Sequence, residues 1–263
     1  MWFDAHCHLQ DGRLLDQESA VLARARAAGV GRLLCCGTTV ADWPAVAGLA
    51  ERWPGMVAPA FGLHPWFIAD RPPDWLASLR RLLMAYPLAV VGEIGLDHVV
   101  KPRADTEQQA VLEAQLVLAC ELNRPVVMHC RKAWGLLMEM RGALKRLPRG
   151  FVIHAYSGGW ELVSGLAGLG ACFSFAGSVT WPHNVRAREA VPVVPADRLL
   201  VETDAPDMLP WQGGAVAPPP GRRPNEPANV REVARAVAAL RGVAEAEIET
   251  LTWQNACRIY QGP

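Results

Sequence analysis

The sequence has no surplus charge of either sign, since Lys+Arg and Asp+Glu both number 26. Without a basic excess the chain cannot hold nucleic acid by bulk attraction, so any such contact must be local to a site. It also lacks a C-x-x-C pair: its cysteines are seven, an odd number, at Cys7, Cys35, Cys36, Cys120, Cys130, Cys172 and Cys257. Most of them sit in apolar stretches, where a free thiol behaves as a small hydrophobe and suits a reducing cytosol. No apolar run reaches the ~18 residues of a membrane span, and "MWFDAHCHL" has neither a basic n-region nor a small-residue cleavage site. The expectation is a soluble, cytoplasmic protein that crosses no membrane. Disorder is excluded too, because 51% of the residues are hydrophobic and 20% charged, a globular balance.

What is present is an alternation. Short apolar runs read as strands at 2–9, 32–37, 57–63, 88–94, 125–129, 150–154, 171–175 and 199–203. Between them lie segments such as "PDWLASLRRLLMAY" and "TEQQAVLEAQLVLACEL", whose apolar residues recur at three and four, the spacing of one buried helical face. Strand–helix alternation repeated about eight times in roughly 250 residues predicts an α/β fold, a (β/α)₈ TIM barrel. A doubly wound open sheet is the competitor. No domain boundary or shorter repeat is visible, so 1–263 reads as one domain. The segment 205–227 is too rich in Pro and Gly for regular structure and is expected as a functional loop after the eighth strand.

The first strand carries "DAHCHL". Side chains alternate along a strand, so His6 and His8 share a face, Cys7 takes the other, and the two imidazoles can close on one metal ion. Other strand ends bring "GLHPW" with His64, "GEIGLD" with Glu93 and Asp97, "VVMHCRK" with His129, "VIHAYSG" with His154 and "VETDAP" with Asp204. In a barrel these ends converge on the C-terminal mouth, where active sites sit. Four histidines, a glutamate and an aspartate offer nitrogen and oxygen donors without thiolate, which suits Zn²⁺, Mn²⁺ or Mg²⁺. That set exceeds the need of one ion and fits two, with a carboxylate between them.

In order and spacing, "DAHCHL", "GLHP", "GEIGLD", "RPVVMHCR", "HAYSG", "ETDAP" and "NEPAN" resemble the TatD-type metal-dependent deoxyribonucleases, members of the amidohydrolase-like barrels. The resemblance runs from Phe3 to Tyr260. It implies that His6, His8 and Asp204 hold one divalent ion, His129 and His154 the other, and that Glu93 bridges them. It departs from the family pattern at Lys132, at His98 and Val99, and at the proline before "NEP", none of which is an expected ligand. The implied activity is hydrolysis of DNA phosphodiesters, exonuclease-type on single-stranded ends, by a metal-activated water whose proton Asp204 accepts.

Asp204, Glu93 and His64 are the expected catalytic residues, and His64 and Arg131 the expected donors to phosphate oxygens. Trp211, Arg222 and Arg223 in the 205–227 loop are expected to shape the substrate path. Asp97 reads as a supporting partner, and His98 and His183 as surface histidines. Trp75, Trp134 and Trp253 read as core, whereas Trp66, Trp160, Trp181 and Trp211 fall in strand-end loops where unpaired bases could stack, although for any one of them packing is the favoured reading. The rival readings are a hydrolase of a small amide, ester or phosphorylated metabolite on the same site, and a metal-stabilised binding module. Asp204 counts against the module, since a scaffold needs no proton acceptor in its mouth. The oligomeric state is not legible in the sequence.

Overall fold

The computed structural model describes residues 1–211, 213 and 223–261. Eight strands form one parallel sheet in chain order: β1 (Trp2–Cys7), β2 (Val30–Cys36), β3 (Val57–Phe61), β4 (Val90–Asp97), β5 (Val126–Arg131), β6 (Phe151–Ile153), β7 (Ala171–Phe175) and β8 (Leu199–Val201). Every expected strand is present. Because the order never reverses, there is no switch point, and the open doubly wound alternative is excluded. The boundaries move: β4 continues past residue 94 to Asp97, while His8 lies just beyond the end of β1.

Each strand contributes to an interior layer of Phe3, Leu34, Ala60, Val90, Val127, Val152, Cys172 and Leu200. Most of these lie near strand starts, so the layer fills the lower barrel. Its floor is the last helix, Glu245–Gln261, which adds Ala256, Ile259 and Tyr260 to the same cluster. Tyr260 ends against Phe3 and donates its hydroxyl to the Ala5 carbonyl at 3.1 Å.

Helices cover the outside. The helix Asp105–Glu121 begins with Asp105 and Glu107, which suit its N-terminal dipole, and buries Val111, Leu112, Leu116 and Ala119. Two buried glutamines share that inward face at a spacing of two turns. Gln115 accepts from Leu63 N–H at 2.7 Å and donates to its carbonyl at 3.2 Å. Gln108 does the same for Asp97, at 2.7 and 2.9 Å. One helix thereby pins the ends of β3 and β4, where His64 and Asp97 lie.

The seam between β8 and β1 is built differently from the other strand pairs. Asp204 N–H donates to the His6 carbonyl at 2.9 Å and His8 N–H to the Ala205 carbonyl at 2.7 Å. Below them the fully buried Asp4 accepts from Thr203 N–H at 2.8 Å and from its hydroxyl at 2.6 Å. Burial pushes the Asp4 carboxyl up to about 8, against the pull of those hydrogen bonds. Asp4→Ala should cost about 1–3 kcal/mol of stability, since it leaves Thr203 N–H buried without an acceptor. Asp4→Asn keeps an acceptor and should cost less. Denaturant unfolding with a chelator present compares the two, and an alanine variant as stable as the parent would remove Asp4 from the seam.

Candidate metal centre

Register shifts deliver the first donors. Phe3 and Ala5 belong to the interior layer, so strict alternation would turn His6 outward. A shift between Asp4 and Cys7 restores it to the inside and leaves Cys7 in the outer core. On β4, Val90 is interior and Ile94 exterior, and a shift between Val91 and Ile94 turns Glu93 inward. Such bulges re-aim side chains beside functional sites. Just past the shift, Gly95 lets β5 come close: its φ is +147°, and a Cβ there would lie 1.9 Å from the His129 carbonyl oxygen.

Glu93, only 2% exposed, divides its carboxylate between two groups of imidazoles. Oε2 lies 3.3 Å from His6 Nε2 and 3.3 Å from His8 Nε2, and Asp204 Oδ1 is 3.6 and 3.4 Å from the same nitrogens. Oε1 lies 2.8 Å from His154 Nε2, 3.3 Å from His129 Nδ1 and 3.2 Å from His64 Nε2. Burial opposes ionisation of Glu93, but the surrounding His154, His64 and His6 outweigh it and hold the group well below the carboxylate range. Asp204 is also lowered: burial opposes, while the hydrogen bond to His8 and the nearby imidazoles prevail. Both carboxylates are therefore anionic at neutral pH.

Hydrogen bonding on the far side of each ring fixes what it offers to the centre. His8 Nδ1 lies 2.8 Å from the Cys36 carbonyl, which can only accept, so the neutral ring turns a bare Nε2 inward. His129 Nε2 lies 2.9 Å from Asp97 Oδ2, so Nδ1 is its inward lone pair. His154 turns Nε2 to Glu93, and its Nδ1 lies 3.4 Å from Glu202 Oε1 without a hydrogen bond. His64 is reversed. Its Nδ1 accepts from Trp66 N–H at 3.1 Å, so Nε2 carries a proton. Burial lowers this imidazole to about 4, which keeps it neutral. Distance alone admits His64 as a nitrogen ligand, but this tautomer makes it a donor. With the rings neutral, the inward nitrogens of His8, His129 and His154 set lone pairs against carboxylate oxygens at 2.8–3.4 Å, and either a proton or a metal cation between them relieves that. Burial lowers these imidazoles, but the facing carboxylates prevail and raise all three.

The supporting residues were the harder part to foresee. Asp97 fulfils its expected role by holding His129. Glu202, fully buried, was overlooked although it stands in "ETDAP": its Oε1 accepts from Ala155 N–H at 2.6 Å beside His154. His154 Nδ1 and Glu202 Oε2 have no hydrogen-bond partner. Asn225 of "NEPAN" donates to the carbonyls of Thr203 and Asp207 at 2.9 and 2.8 Å, clamping the turn that carries Asp204.

A cleft of about 610 Å³ opens above the cluster, lined among others by His64, Trp66, Arg131, Asp204 and Met208. Arg131 ends β5, exposed at its rim. Arg13 also lines the cleft but is held between Asp11 and Asp207, at 2.9 and 2.8 Å. Trp211 is exposed, tied through its N–H to Thr180 Oγ at 2.6 Å, and Arg223 is exposed; neither lines the cleft, contrary to the expected substrate path. Arg222 lies outside the described residues. Trp75 is core, Trp134 and Trp253 are half-buried against it, and Trp160 is exposed away from the cleft. His183 is exposed, and His98 is half-buried beside Asp105.

A parallel barrel bearing imidazoles and carboxylates at its C-terminal mouth is the arrangement of a metal-dependent hydrolase. More specifically, the chain belongs to the TatD-related DNase family, whose model matches residues 3–261. It is similar to the 3'-5' ssDNA/RNA exonuclease TatD of Pantoea vagans, 33% identical over 260 residues that cover 98% of this chain and 99% of that relative. The uncharacterized metal-dependent hydrolase YcfH of Escherichia coli is 35% identical over 264 residues, covering 98% and 94%. Among solved structures, YJJV, a TatD homologue of Escherichia coli, matches with a TM-score of 0.91 at 30% identity, covering 100% of this chain and 98% of that one. No helix among the described residues is long and apolar enough to cross a membrane.

Proposed function

We propose that this metal-dependent hydrolase cleaves phosphodiester bonds of single-stranded DNA from an end and works in the cytoplasm. The observation that carries the reading is Glu93, whose two oxygens face two separate imidazole sets. We assign His6, His8 and Asp204 to one divalent cation and His129 and His154 to a second, with Glu93 shared. The ions are Mg²⁺, Mn²⁺ or Zn²⁺, since nitrogen and oxygen donors serve all of these. Divalent cations held there acidify water and offset charge on phosphoryl oxygens.

The remaining chemistry belongs to the chain. Asp204, held anionic beside His8, accepts the proton of the attacking water. His64 presents its Nε2–H, and Arg131 a guanidinium, to the phosphoryl and leaving oxygens. Asp97 and the Cys36 carbonyl hold the imidazoles of His129 and His8 in their working tautomers. The buried wall around Glu93 keeps bulk water from the donors.

A hydrolysis panel in Mn²⁺ or Zn²⁺ tests this: single-stranded DNA, duplex DNA, RNA and a small amide. The expected result is stepwise release of nucleotides from single-stranded DNA, abolished by a chelator. Turnover of the amide with DNA left intact would replace this reading with the rival hydrolase.

A further inference from the structure

We propose that the indole face of Trp66 is the stacking platform for the nucleobase next to the scissile phosphate, and that it selects unpaired strands. The inference rests on the phosphodiesterase reading and adds to it the residue that recognises the nucleobase.

Trp66 belongs to the short 3₁₀ turn Pro65–Asp70 after β3. It is 49% exposed, and among the described residues it is the one tryptophan that lines the cleft. Exposure alone does not set it apart, since Trp160 and Trp211 are exposed as well; its place in the cleft does. Nor is this ring loosely placed. Its Nε1–H donates to Asp97 Oδ2 at 2.7 Å, the same oxygen that faces His129 Nε2. Its backbone N–H holds His64. The indole stands perpendicular to His64, with centroids 5.3 Å apart, and 6.4 Å from His129. The edge that carries the N–H is thus committed to the site, and part of the ring surface remains open to the cleft.

The neighbours identify the occupant. The cluster below is suited to an anion, and Arg131 lines the same cleft. A phosphodiester placed there carries a planar heterocycle through its sugar, and the Trp66 ring stands beside the site, its centroid 5.3 Å from that of His64 and 6.4 Å from that of His129. Stacking accepts any nucleobase, since each has a π-face, so the site reads strandedness rather than sequence. Inside a duplex both faces of a nucleobase are already covered, so only an unpaired one is free to lie on Trp66. Because the indole N–H also steadies Asp97, the ring has two separable roles: its face serves affinity and its N–H serves the position of His129.

The test compares the metal-loaded parent with Trp66→Leu and Trp66→Phe on two internally labelled single-stranded oligonucleotides. One is ordinary, and the other carries abasic sugars at the last two positions of both ends. For the parent, KM on the ordinary strand should be lower by about tenfold, within the range reported for one stacked base. Trp66→Leu should raise that KM to the abasic value. Trp66→Phe, which keeps a face and loses the N–H, should keep most of the KM difference. Both variants should lose kcat to a similar degree on either strand. Cleavage by the parent with equal KM on both strands overturns the platform while leaving the nuclease reading intact, and this comparison needs no variant to fold. A leucine variant that keeps the discrimination, or a phenylalanine variant that loses it as fully as leucine does, also overturns it. No cleavage of the ordinary strand by the parent removes the nuclease reading and the platform together.

Discussion

Asp204→Asn is expected to melt close to the parent, to bind single-stranded DNA, and to hydrolyse it at least ~10²-fold more slowly, as removal of a positioned base typically does. The backbone is why the comparison is clean. Asp204 has a φ of +53°, in the left-handed region that asparagine tolerates better than other residues with a Cβ. Its N–H is spent on the His6 carbonyl, so the seam survives the change. What is lost is the charge of Oδ1 opposite His6 and His8 at 3.6 and 3.4 Å, and with it the basicity. A neutral amide is also a poorer partner for a hard cation, so the assay is run at saturating metal. Turnover near that of the parent under those conditions would place the proton acceptor elsewhere.

Glu93→Gln is expected to act on metal content as well as on rate. Glu93 is the one carboxylate that faces both imidazole sets. Loss of its charge should lower the content of protein reconstituted in excess Mn²⁺ or Zn²⁺ from more than one equivalent to one at most. Turnover should fall by more than the ~10² expected for Asp204→Asn, because under the paired-ion assignment both ions would lose a charged ligand. The parent supplies the control: a firm ceiling of one equivalent there rejects the paired-ion assignment outright. A glutamine variant that holds the parent's content would show that the imidazoles suffice without a shared carboxylate.

The strands were legible because a parallel barrel buries both faces of its strands, so each reads as a continuous apolar run. The first-rank donors were legible because strand ends in such a barrel converge. What escaped depends on contacts between distant segments. The shift in β1 that brings His6 inward beside Ala5 has no signature in "DAHCHL". The continuation of β4 to Asp97 was missed because Gly95 looks like a terminator, whereas its missing Cβ is what lets β5 approach. The reversed tautomer of His64 depends on the N–H of Trp66, and no residue type encodes it. Gln108 and Gln115 looked like ordinary polar positions on an amphipathic helix, yet they bond the backbone of two other segments. The loop 205–227 reads as one object, but its Asn225 end clamps the turn of Asp204 while Trp211 is tied to Thr180.

The floor of the barrel has a consequence for how the chain is made. The side chains of Phe3 and Leu34 meet those of Ile259 and Tyr260 across most of the sequence, which gives the interior layer very long-range contacts of the kind that slow folding. A ribosome adds about 5–20 residues per second, so β1 and β2 wait on the order of ten seconds or more before the helix that covers them emerges. During that interval Phe3, Leu34, Val90 and Val127 have no cover from below, although the strands that carry most of the metal donors already exist. The nascent barrel is thus most exposed to aggregation, and to capture by chaperones, at the end opposite its active centre. Substitutions in the last helix should therefore reduce the yield of folded protein without altering the chemistry of the molecules that do fold.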